Sequence, residues 1–246
     1  IHNLADFWDK YHDNWRLAFD QAHAGDVYAT HGLGPDCQVL DIHRGDRMDY
    51  LVSMATISVA GLDVAKKNMG AETFANGDQT STMIHTSKGK TILLQHNVYT
   101  PRPYDRMYQV VGTKGYAEKY PYPGFAFEPD QISGNVDFEN LSAHTFVSGD
   151  VYNELLKKYQ SPIVKDIEEK AKSIGGHGGM DFIMDYRLVW CLRNGKPLDM
   201  DVYDAAEWSC IGDLSAASIE NGSKPVLVPD FTRGKWNKIQ GYRHAE

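Results

Sequence analysis

Two β-prone runs, residues 79–86 and 90–99, meet across Ser87-Lys88-Gly89, and this junction constrains the fold more than any other stretch. So short a glycine-bearing connection joins antiparallel strands, because parallel neighbours need a crossover of a dozen or more residues. A third run over 106–112 turns at Thr113-Lys114-Gly115. The tract 121–146 carries prolines, glycines and acids without a period and reads as a long loop. Helical spacing holds both ends of the chain. Leu4, Phe7, Trp8, Tyr11, Trp15, Ala18 and Phe19 predict an amphipathic helix over 4–22, stopped by Gly25. Tyr28 through Pro35 reads as a stiff glycine-punctuated loop, followed by a short helix over 36–42. Further helices are predicted over 149–159 and 163–173, broken by Pro162, and over 180–194, opened by the 175–179 glycines and closed by Gly195 and Pro197. A last long helix is predicted over 202–221, with Asp201 and Asp204 as caps and Asn221-Gly222 at its end. Clustered strands flanked by helices give an α+β class, one large open antiparallel or mixed sheet with helices on one face, in a single domain over 1–246. No βαβ alternation and no G-x-G-x-x-G after a strand occurs, so no Rossmann domain is expected in this chain.

Composition excludes several functions. The formal net charge is -8, and the densest basic group, Arg102, Arg106 and Lys114, is interrupted by Asp105. Phosphate binding needs a basic stripe, so nucleic acid is not an expected partner. No apolar run approaches the roughly 20 residues of a membrane span. Cys37, Cys191 and Cys210 have no metal-ligand spacing and read as buried free thiols; with no H-x-x-x-H or C-x-x-C, no metal site is expected. The opening Ile1-His2-Asn3-Leu4 is expected to continue from a longer polypeptide, with any targeting segment upstream.

Three places put chemistry on stiff backbone. Tyr28, Thr30 and His31 offer a phenol, a hydroxyl and an imidazole, the last with an ordinary pKa nearest neutrality; the plainer reading of His31 is a helix cap. Gly175-Gly176-His177-Gly178-Gly179 leaves free N–H groups before helix 180–194 and lets a ligand approach closely, or else forms a simple hinge. Thr100-Pro101-Arg102-Pro103-Tyr104 is a proline-stiffened turn displaying Tyr and Arg. Trp8, Tyr11 and Trp15 could stack on a sugar, although aromatic stripes at helical spacing usually serve a core; Arg16 beside them suits a fixed hydroxyl or carboxylate partner. Asp181 and Asp185 share a helical face, where acids near an N-terminus generally favour the dipole.

These blocks together are similar to one known family. Tyr11 through Leu17, Thr30 through Pro35, Arg44 through Arg47, Pro101 through Tyr104, Gly176 through Arg187, Leu198 through Trp208 and Pro229 through Gly234 resemble the C-terminal domain of NAD-dependent α-N-acetylgalactosaminidases, glycoside hydrolase family 109, within the Gfo/Idh/MocA oxidoreductase fold group. The tract 121–146 matches weakly, and Ala29 stands where the family is expected to carry proline. The resemblance implies an open sheet that closes over a nicotinamide held by an upstream Rossmann domain, with NAD bound mainly there. It implies that Arg16, Tyr28, Ala29, Thr30, His31 and a tyrosine, Tyr104 or its competitor Tyr108, line the site of a terminal N-acetylgalactosamine glycan. His31 becomes the expected proton-handling residue, and the glycine argument adds His177.

The implied chemistry departs from the two-carboxylate scheme of most glycosidases. The sugar C3 hydroxyl is oxidised, the C2 proton is removed, the C1 aglycone is eliminated, water adds at C1, and the hydride returns to C3. The resemblance also implies an exported or periplasmic bacterial protein, inactive as this piece alone, and leaves a homo-oligomer open. Two other functions fit the residues: a sugar dehydrogenase of the same fold group, and a cofactor-free glycan-binding module.

Overall fold

The computed structural model describes residues 15–129, 131 and 141–238. They form two compact units, one built from 15–106 with 202–238, the other from 107–201. Residues 4–14 of the predicted first helix, with Trp8 and Tyr11, lie outside the described residues.

The first unit is organised by a four-stranded antiparallel sheet of order β3-β2-β1-β7, with β1 Met48–Ala55, β2 Thr80–Thr86, β3 Thr91–His96 and β7 Val226–Leu227. The predicted hairpin is present, with Gly89 at φ 77° in its turn, where an L side chain would be strained. Leu51 faces Ile84, which faces Ile92, so one pleat face presents a continuous apolar row. Leu33 and Cys37 of helix α2 (Thr30–Val39) and Ile211 of helix α8 (Ile211–Glu220) complete this core. A smaller core joins Leu17 of α1 (Trp15–Ala22) to Val64 and Ala65 of α3 (Ala60–Met69), with Val98 and Tyr99 beyond β3.

The buried Asp46 carboxylate fixes the hairpin turn. Its Oδ1 accepts from Arg47 N at 2.8 Å and Lys88 N at 3.1 Å, and its Oδ2 accepts from the Thr86 hydroxyl at 2.8 Å. Arg44 makes two bonds to Asp204 at 2.9 and 2.7 Å, and His43 Nδ1 lies 2.8 Å from Glu207. Burial works to lower the His43 pKa, but the Glu207 bond and charge, with Asp204, outweigh it and hold it above its usual value. The Arg44-Gly45-Asp46-Arg47 block is therefore structural. It locks residues 43–47 onto α7 (Val202–Ser209) and onto the hairpin.

Two expectations change here. Residues 30–39 are one helix rather than a loop followed by a helix at 36. Pro35 lies inside it and has no N–H for the carbonyl of His31, but Leu33, Gly34 and Cys37 are buried, and that packing outweighs poor local propensity. Gly34 is needed for the approach of α7, since a Cβ there would meet the Trp208 ring at 3.2 Å. The predicted helix 202–221 is two, α7 and α8, interrupted at Cys210. Asp204 and Glu207 of α7 serve residues 43–44, while Ile211 and Ser218 of α8 serve the sheet, Ser218 Oγ accepting from Ser53 N at 2.9 Å.

The second unit carries a three-stranded antiparallel sheet of order β4-β5-β6: Gln109–Val111, Gly115–Glu118 and Gly124–Phe127. Strand β6 lies in the tract read as loop. Flanking prolines hide its short period, and it is held by aromatic contacts, Phe125 to Tyr152 at 5.0 Å, with Tyr116 to Phe146 at 6.0 Å beside it. Its helices are α4 Gly149–Lys158, α5 Pro162–Ile174 and α6 Met180–Asn194. The Ser148 hydroxyl caps α4 by accepting from Val151 N, and Pro162 occupies the first turn of α5, where its missing N–H costs nothing. The fold is thus α+β with antiparallel sheets and helices. Among the described residues, no helix is long and apolar enough to cross a membrane.

Candidate functional site

Arg16, on the second residue of α1, reaches the segment that enters α2. Its Nη2 donates to the Tyr28 hydroxyl at 3.4 Å, and its guanidinium lies 5.0 Å from the Tyr28 ring centre and 5.3 Å from that of Trp15. Tyr28 stacks in turn on His31, with ring centres 4.8 Å apart and planes 25° from parallel. Arg16 and Tyr28 are half-buried and His31 is exposed. A cation, a phenol and an imidazole therefore share one partly desolvated surface. Cation–π and stacking contacts hold it together.

Buried groups from distant elements hold this segment still. Asn76, fully buried, donates through Nδ2 to Gly25 O at 2.9 Å and to His23 O at 3.2 Å. The Thr80 hydroxyl donates to Gly25 O at 3.3 Å, and Asp26 N donates to Ser215 Oγ at 2.8 Å. Gly25, at φ 95°, can only be glycine, since a Cβ would stand 2.6 Å from Ser215 Oγ. The stiffness assigned to local glycines and proline comes instead from these long-range anchors.

Two acids that the sequence reading passed over are buried close to these residues in the chain. Asp20 is buried on α1, four residues after Arg16, and the Tyr99 hydroxyl donates to its Oδ2. Burial pushes its carboxyl up to about 6, with Tyr99, Arg16 and His23 pulling the other way. Asp26 is likewise raised by burial to about 6, opposed by the Tyr28 backbone N–H. The spacing of Asp20 from Arg16 was the available signal; the burial was not.

The other expected residues disperse. Ala29 is buried in the main core, and Thr30 is half-buried in the first turn of α2. Tyr104 is half-exposed, with Arg106 Nε donating to its hydroxyl and the guanidinium 5.5 Å from its ring. Its competitor Tyr108 belongs to the second unit, tilted against Tyr120 at 6.2 Å. His177 is also in the second unit, exposed at φ 48°, its Nδ1 within 3.0 Å of Asp181. Asp181 is thereby engaged with His177 rather than paired with Asp185. A cavity of about 890 Å³ in that unit, walled by Tyr116, Phe125, Phe127, Leu155 and Tyr159, holds none of the expected site residues.

The chain belongs to glycosyl hydrolase family 109, whose C-terminal domain matches it over residues 6–238. It is 64% identical over 249 residues to glycosyl hydrolase family 109 protein 1 of Bacteroides fragilis, covering 100% of this chain and 54% of that protein. The like-named protein of Bacteroides thetaiotaomicron is 63% identical, and glycosyl hydrolase family 109 protein of Porphyromonas gingivalis is 59% identical, each over 100% of this chain and 53% of its own length. The chain thus spans about half the length of the curated relatives it matches. Among solved structures, myo-inositol dehydrogenase from Lactobacillus casei, in complex with NAD(H) and myo-inositol, aligns over 88% of this chain and 52% of its own, at TM-score 0.40 and 12% identity.

Proposed function

We propose that these 246 residues form the substrate-side domain of an exported bacterial glycosidase that removes terminal α-N-acetylgalactosamine with NAD, by oxidation, elimination, hydration and reduction. The observation that supports this reading is the Arg16–Tyr28–His31 stack on a segment pinned by Asn76, Thr80 and Ser215. Such a route needs hydroxyl-directed donors and a proton carrier beside the sugar, not two acids flanking the anomeric bond.

The strand pairs of the described residues are all antiparallel, so among those residues there is no glycine turn of a βαβ unit to cradle a pyrophosphate. In this reading the cofactor sits on another part of a longer protein, where NAD supplies a hydride acceptor and donor for the sugar C3 hydroxyl. This chain's residues then divide the remaining work. Arg16 donates to a sugar oxygen, and Tyr28 holds both the guanidinium and the imidazole in plane. His31 moves the proton at C2, and Tyr104 contacts the glycan.

The test is turnover of p-nitrophenyl α-N-acetylgalactosaminide by the complete protein in D2O. Deuterium at C2 of the released sugar is expected, and product with protium alone at C2 counts against elimination. His31→Ala should lower kcat by roughly 10²–10⁴-fold, the range of a positioned acid–base group. A fully active His31→Ala enzyme removes His31 from the chemistry.

A further inference from the structure

Arg16 presents an electrostatic puzzle. Its guanidinium is half-buried, yet among the described residues it forms no ion pair; its hydrogen bond goes to the neutral Tyr28 hydroxyl, and its buried Nε has no partner. A partly desolvated cation without a counter-charge is costly. The carboxylate that answers it is Asp20, one helical turn further along α1 and 4% exposed. A direct pair at this spacing is ordinary on a helix. Here Asp20 Oδ2 is instead taken by the hydroxyl of Tyr99, which arrives from beyond β3 and is itself 3% exposed. Phe74 packs edge-on against the Tyr99 ring at 5.3 Å and keeps it in place.

We infer that Asp20 is a positioning and specificity residue. Held by Tyr99, it neutralises Arg16 at a distance without occupying its N–H donors, so the site favours a neutral acceptor oxygen, acetamido or hydroxyl, over a carboxylate or sulfate. This deepens the reading of Arg16 as a sugar-binding residue and rests on it. Arg16 presents a strong directional donor whose net field is already balanced. An anionic ligand finds no uncompensated charge to repay its own desolvation, whereas a carbonyl finds a charge-assisted donor. The coupling also shows in the opposite direction, since Arg16 is among the groups that oppose the rise of the Asp20 pKa.

The experiment measures dissociation constants of the complete protein for N-acetylgalactosamine and for inorganic sulfate by titration calorimetry. In Asp20→Asn, which keeps an acceptor for Tyr99, sulfate should bind about tenfold more tightly, as expected for removing one unit charge a helical turn away, while the neutral sugar changes much less. Adding Arg16→Ala to Asp20→Asn should abolish that gain. Tyr99→Phe should release Asp20 to pair with Arg16 and weaken both probes, which keeps a readout if Asp20→Asn fails to fold. Unchanged sulfate affinity in Asp20→Asn, or equal losses for both probes in that variant, overturns the inference. If the wild type binds no N-acetylgalactosamine, the carbohydrate reading falls, and the sulfate gain with its dependence on Arg16 still decides the role of Asp20.

Discussion

Replacing Asn76 by alanine tests whether the site segment is stiffened from a distance. Asn76 is fully buried and gives two hydrogen bonds, to Gly25 O at 2.9 Å and His23 O at 3.2 Å. Each bond contributes about 1 kcal/mol net, and a buried carbonyl stripped of its donor costs about 1–3 kcal/mol. Gly25 O keeps the Thr80 hydroxyl at 3.3 Å, so only the His23 carbonyl loses its described side-chain donor. The expected loss is about 2–3 kcal/mol, read as a lower urea midpoint at unchanged slope. Asn76→Asp should be worse at neutral pH, because it turns an acceptor toward two carbonyl oxygens, and should recover in acid as the carboxyl gains a proton to donate. In the complete protein, Asn76→Ala should raise KM for the glycoside, since Tyr28 and Arg16 lose their fixed relation. A loss below about 0.5 kcal/mol, the level of an ordinary surface change, refutes the anchoring argument, as does equal stability of the Ala and Asp variants at pH 7.

Three further outcomes follow from buried charge and from the proposed role of Arg16. Folded Asp26 keeps its proton up to about 6 against an ordinary 3.8. The folded state therefore binds more protons within that window, and stability falls as pH rises through it. Asp26→Asn should remove about 3 kcal/mol of that fall, the equivalent of two pKa units, and an unchanged slope of unfolding free energy against pH would exclude Asp26 as its source. Arg44→Met takes the guanidinium and two hydrogen bonds from Asp204, whose side chain is 2% exposed and which keeps His43 at 3.7 Å, and should destabilise by about 3 kcal/mol in urea melts; a loss under 1 kcal/mol would show that the 43–47 segment is not locked as described. Arg16→Ala should weaken binding of N-acetylgalactosamine by about 1.5–3 kcal/mol without altering NAD affinity, with wild-type affinity for the sugar as the contrary result.

Local signals carried much of the architecture. The hairpin at Ser87-Lys88-Gly89 was legible because its connection is short and its glycine adopts a positive φ. Helix α6 was legible from end to end, since the Gly179 and Gly195 caps stop propagation on both sides. Strand β1, one of the two inner strands of the larger sheet, carried no such mark. Asp49 and Ser53 interrupt its apolar alternation, and both its neighbours are far away in sequence. Helix α3 was also silent, because its N-terminal N–H groups at Val59, Ala60 and Gly61 are received by Asp78, far outside the usual capping window.

The sequence by itself determined the α+β class, the hairpin, the helices of the second unit and the residue types of the Arg16–Tyr28–His31 surface, because these depend on spacing and on the φ/ψ preferences of neighbouring residues. It also determined the family, through blocks such as Thr30–Pro35 and Gly176–Arg187. Only the tertiary structure decided that 30–39 is helical, since the packing of Leu33, Gly34 and Cys37 outweighs a proline and two glycines. Only it put Arg16 against Tyr28 and His31, because contacts between α1 and the entry to α2 depend on anchors from Asn76, Thr80 and Ser215. The acidity of Asp20 and Asp26 was decided there too. A carboxyl titrates according to the solvent it loses, and burial belongs to the assembled fold rather than to any stretch of chain.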